Sequence, residues 1–127
     1  MTALEELLAK VEAGECRAYE VGEAAMPFAA VAEGDLRRWE IVSSIEKAYD
    51  GSLDAAKALH EAVLGDEFIS RHHVAAPDRW HFYVSRHAAH LDGWYPRPEK
   101  FLGIAAPARV WLIAILKALI AKEKADG

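Results

Sequence analysis

The residues Ala106 to Ala121, APARVWLIAILKALIA, constrain the fold more than any other part of this chain, because their apolar side chains run almost all the way round a helix. Val110, Ile113, Ala114 and Lys117 lie along one side, while Trp111, Ile115 and Ala118, with Leu112, Leu116, Leu119 and Ile120, fill most of the remainder. A helix so patterned is buried on more than one face, and it marks the core. It is too short to span a bilayer: the run from Val110 to Ala121 covers about 18 Å at about 1.5 Å per residue, against about 30 Å of hydrocarbon. Lys122, Glu123 and Lys124 then follow. At the other end, Glu5 and Glu6 precede Lys10, the reverse of a basic region leading into an apolar signal. The expectation is a cytoplasmic protein with no membrane partner.

A chain of 127 residues fits one domain spanning residues 1–127. Cys16 is the only cysteine, which excludes an internal disulfide and a thiolate zinc cage and agrees with a reducing compartment. The net charge of −5 opposes general attraction to phosphate backbones. The absence of Asn and Gln removes the usual bidentate readers of adenine and the side-chain amides that help hold an oxyanion.

Along the chain, Thr2 and Glu5 have capping-box spacing, Leu4, Leu7, Leu8 and Val11 form a stripe, and Gly14 can close a first helix. From Glu15 to Gly34 the pattern dissolves into alanines and acids, with Val21, Met26, Phe28 and Val31 irregularly spaced. This reads as a loosely packed connection, anchored by a few apolar side chains, and as the place in the chain where an unexpected short helix would most readily occur. A second helix starts near Asp35 and runs through Ile41, Ile45 and Ala48, with Trp39, Val42 and Tyr49 beside them, until Asp50-Gly51. Ser52 opens a third with the stripe Leu53, Ala56, Leu59 and Val63, ended by Gly65. Phe68 to Val74 and the alternating Arg79 to Ser85 predict a hairpin around Ala75-Ala76-Pro77-Asp78. Residues 86 to 98 read as a long surface loop, Lys100 to Ala105 as a third strand, and Pro107 suits the first turn of the last helix. The expected class is α+β, with helices packed on a small antiparallel sheet in the order ααα-βββ-α around a buried C-terminal helix.

Chemistry is harder to find. No nucleophile stands next to a base: Cys16 lies in an irregular stretch, Ser43 and Ser44 are mid-helix, and Gly14, Gly22 and Gly34 are too far apart for a phosphate loop. No enzyme activity and no cofactor are expected. The histidines invite a metal hypothesis, with His72 and His81 on facing strands and His87, His90 or Asp92 beyond, but exposed strands accept histidine and no metal site is assigned. Trp, Tyr and Arg dominate binding hot spots, which makes Arg71, Arg79, Tyr83, Arg86, Trp94, Tyr95 and Arg97 the candidate partner-binding set on the hairpin and the loop after it. The same basic ribbon offers an alternative, contact with a nucleic acid.

Two stretches resemble bacteriophage and prophage proteins of the phage ABA sandwich domain family. One is AYDGSLDAAKALHEAVL, residues 48–64, where Gly51-Ser52-Leu53-Asp54-Ala55-Ala56 leads into Leu59-His60. The other is the closing helix, residues 106–121, with Pro107, Ala108, Arg109, Trp111 and the Leu-Ile-Ala-Ile-Leu run. Such proteins place a short hairpin between them. The resemblance implies an origin more than an activity: a small non-enzymatic phage or prophage accessory protein in the host cytoplasm. Its expected partner is a host or phage protein, with inhibition of a host defence or regulatory complex as one outcome and phage assembly as another.

Overall fold

A computed structural model describes residues 2–29, 35–65, 68–76, 79–86 and 106–126. The first helix, α1 (Ala3–Ala13), begins as its sequence predicts: the Thr2 hydroxyl accepts the Glu5 amide at 3.2 Å and the Glu5 carboxylate accepts the Thr2 amide at 3.4 Å. Left-handed Gly14 closes it.

The stretch 15–34, expected to be irregular, instead contains a regular helix, α2 (Ala18–Ala29). Its buried face is Val21, Gly22, Ala25 and Ala29, a stripe at helical spacing built almost wholly of small residues. Small residues let α2 lie close to its neighbour. A Cβ built on Gly22 would come within 2.6 Å of Glu46 Cδ, so this glycine marks the near approach of the next helix. Pro27 falls in the last turn, where its missing N–H removes a single backbone bond.

Helix α3 (Asp35–Tyr49) buries Ile41, Val42, Ile45, Ala48 and Tyr49. Its end is fully accounted for. The Asp50 amide donates to the Glu46 carbonyl, that of Gly51 to Ala48 at 3.1 Å, and that of Ser52 to Lys47 at 2.9 Å, which is a Schellman motif with Gly51 at the positive-φ position (φ 113°). Ser52 then serves the next element: its hydroxyl accepts the Ala55 amide at 3.1 Å and caps α4 (Leu53–Val63). Ala55, Ala56, Leu59 and His60 form the buried face of α4, whereas Leu53, expected in the stripe, is 44% exposed in the first turn.

Two strands follow, β1 (Phe68–Ala76) and β2 (Arg79–Arg86), paired antiparallel from Phe68 opposite Arg86 to Val74 opposite Trp80, with an irregularity between Val74 and Ala76. The third strand expected over 100–105 lies outside the described residues. The chain then enters α5 (Ala106–Asp126). Val110, Leu112, Ile113, Ala114, Ile115, Leu116 and Ala118 are all buried, and Trp111 is half-buried against the same core. Successive helices pack against each other from α1 to α4, and α5 packs against α1, α3, α4 and β2.

This arrangement corrects the expected class. Of the buried apolar side chains described, all but Leu64, Phe68 and Val84 sit on helices, so the core is made helix on helix. The described order is αααα-ββ-α, and the described residues form a five-helix bundle carrying a two-stranded ribbon. The α+β reading failed because it gave a structural layer to a hairpin and overlooked a helix. Among the described residues, no helix is long and apolar enough to cross a membrane.

Candidate functional site

Early α3 presents four exposed side chains in a row. Arg37, Arg38, Trp39 and Glu40 are exposed in succession, and Trp39 reaches 63%, the highest value among the exposed large apolar side chains described. A helix packed along its whole length would bury one or two of any four consecutive residues. Here none of Arg37 to Glu40 is buried, whereas Ile41 and Val42 are. Trp39, expected beside the apolar stripe, therefore presents its indole to solvent.

Beside it an open groove of about 410 Å³ runs between α3 and α4. Arg37, Trp39, Ser43 and Lys47 contribute from α3, and Ala58 and Ala62 from α4. The Arg37 guanidinium bridges the two walls by donating to the Ala62 carbonyl at 2.6 Å, which satisfies a carbonyl in the last turn of α4. An indole, a guanidinium and an ammonium, with the Glu40 carboxylate beside them, thus share one concave surface, and Trp and Arg are among the residues that dominate protein-binding hot spots.

A second cluster is internal. Tyr49 closes α3, and its carbonyl, left over by the Schellman motif, accepts from Arg109 of α5 through Nε at 3.0 Å and a terminal nitrogen at 2.8 Å. The same guanidinium lies 3.9 Å from the centroid of the Tyr49 ring. The Tyr49 hydroxyl donates to the Cys16 carbonyl at 2.6 Å, and the Cys16 thiol stands 3.8 Å from that hydroxyl. Burial, and next the thiol contact, hold the Tyr49 hydroxyl above the usual tyrosine range, against the downward pull of Arg109. Three distant segments meet here, which makes the cluster a structural joint. His60 makes another: its ring Nε2 is 3.0 Å from the Phe68 carbonyl, tying α4 to the first residue of β1.

The hairpin residues singled out from sequence are distributed along the ribbon. Arg71 and Tyr83 are cross-strand partners; Arg79 and Arg86 stand at opposite ends of β2, about 23 Å apart along extended chain. His81 is paired with His73, whereas His72 is paired with Phe82, so the register does not place His72 and His81 on the same face of the hairpin, as the metal hypothesis required. Trp94, Tyr95, Arg97, His87, His90 and Asp92 lie outside the described residues. Arg37, Trp39 and Lys47 were not legible as a site, although the polar run around Trp39, Asp35 to Glu40, was a signal of exposure.

No protein-family model, curated protein or solved structure matches the chain.

Proposed function

We propose that this protein acts by binding a macromolecular partner and performs no catalysis of its own, with the open groove between α3 and α4 as a principal contact surface. The observation that carries this reading is the exposed Trp39 beside Arg37 and Lys47 on a concave surface. An exposed indole costs solvation free energy, of the order of 25 cal/mol per Å² of apolar surface, unless something covers it. The phage or prophage setting suggested by residues 48–64 and 106–121 makes a protein of the host cytoplasm the first partner to seek.

The test is affinity capture from a lysate of the source organism with the wild-type chain, the Trp39→Ala variant and the Tyr83→Ala variant as parallel baits. A defined protein retained by wild type and Tyr83→Ala, and lost with Trp39→Ala, supports the reading; retention indifferent to Trp39 contradicts it. A second reading, nucleic-acid contact by the hairpin, draws on the cross-strand placement of Arg71 and Tyr83. It predicts retention on DNA that falls steeply with salt and depends on those two residues.

A further inference from the structure

We propose that the groove between α3 and α4 receives an acidic amphipathic helix from the partner. This rests on the binding reading above and narrows it to one kind of occupant. Both walls are the sides of α-helices, whose backbone groups are engaged within each helix or, at the Ala62 carbonyl, by Arg37. An extended peptide laid between them would find no row of amides and carbonyls to pair with its own, whereas a helix arrives with its backbone already satisfied. Because the groove is open, a small molecule in it would remain largely in water, unlike the deep burial that small-ligand sites provide. Ser43 and Ser44 on one wall, and Ala58 and Ala62 one turn apart on the other, are small enough for the ridge of a third helix to settle between them.

Charge selects the kind of helix. On a chain of net charge −5, the groove is lined by Arg37 and Lys47 against the single carboxylate of Glu40, so its local sign is positive. Arg37 and Lys47 are separated by about 15 Å along α3. The occupant fitting that spacing carries acids about three turns apart, and a large apolar side chain close to the acid that meets Arg37, where it lies against Trp39.

Three fluorescein-labelled peptides of about 14 residues, close to four helical turns, test this by anisotropy titration against the full chain. One is an amphipathic helix with acids at the stated spacing, one has those acids replaced by lysine, and one keeps the acids but carries a central proline. The acidic helix is expected to bind saturably, and the other two at least about tenfold more weakly. Trp39→Ala and Lys47→Glu are each expected to weaken the acidic helix about tenfold, and Lys47→Glu to improve binding of the lysine peptide. Tyr19→Ala, on α2, should leave binding unchanged. Both groove positions are exposed, and circular dichroism confirms that the variants fold. Equal binding of acidic and basic peptides, equal binding of the proline peptide, or no saturable binding of the acidic helix overturns the inference. Trp39-dependent capture of a partner together with any of these results would refute only the acidic-helix occupant; loss of both would refute the binding reading as well.

Discussion

Replacing Arg109 by Met should lower stability by about 2–3 kcal/mol, because it removes charge-assisted hydrogen bonds and ring stacking while retaining much of the packed side-chain volume. The last four carbonyls of α3 have one partner set each: the Asp50, Ser52 and Gly51 amides take those of Glu46, Lys47 and Ala48, and Arg109 takes that of Tyr49. Hydrogen bonds to a charged group contribute about 1.5–3 kcal/mol, and two of them sharing one carbonyl fall short of twice that. Stacking on the Tyr49 ring adds about 0.5–1 kcal/mol. Partial exposure of the guanidinium keeps the sum near the lower end. In a chain of this length the loss corresponds to a fall of about 6–12 °C in Tm. Urea unfolding followed by circular dichroism should show a lower midpoint at unchanged slope. Arg109→Lys, which keeps the charge but loses the planar fork, should recover only about half of the loss. A destabilisation by Arg109→Met below about 0.5 kcal/mol, the usual effect of a surface substitution, would refute the capping role.

Tyr49→Phe removes the bond to the Cys16 carbonyl and should cost about 1 kcal/mol near neutral pH. Since the folded hydroxyl titrates above its ordinary value, the unfolded chain ionises first; the contribution of Tyr49 to stability is therefore flat below about pH 10 and declines above it. Urea midpoints measured across that range should decline less in Tyr49→Phe than in wild type, and parallel curves would contradict the assignment. Leu116→Ala, at a fully buried site of α5, should lose about 2–5 kcal/mol by chemical denaturation; a loss under about 1 kcal/mol would mean that the helix is not enclosed. Thr2→Ala breaks the capping box and should cost about 1 kcal/mol in thermal unfolding, while an unchanged Tm would deny the cap a role.

The parts of the fold written in local chemistry were legible. Thr2 with Glu5 and Gly14 delimited α1, Asp50-Gly51-Ser52 placed the break between α3 and α4, and the wrap of apolar residues on α5 announced the core. Helix α2 was missed because its buried face is Val21, Gly22, Ala25 and Ala29. Alanine and glycine give such a stripe almost no hydropathic contrast with the exposed side, and the larger residues that catch attention, Met26 and Phe28, do not define the face. The class error followed, since a three-stranded sheet was weighed against four helices instead of five. Trp39 and Leu53 show a different limit: each lies off the centre of its helix's buried face, within two residues of buried positions, where apolar character alone does not decide burial. The Arg109–Tyr49 joint spans positions far apart in sequence and leaves no local signature. For the same reason the groove became visible only once α3 and α4 lay side by side.

Hydroxyl-radical footprinting of the free chain and of its captured complex bears most directly on the claim that this bundle meets its partner through the groove. Trp39 should oxidise readily in the free chain, faster than half-buried Trp111, and become protected in the complex together with its groove neighbours. Trp39 left equally reactive in the complex, with protection confined to the hairpin or to another face, would contradict the account.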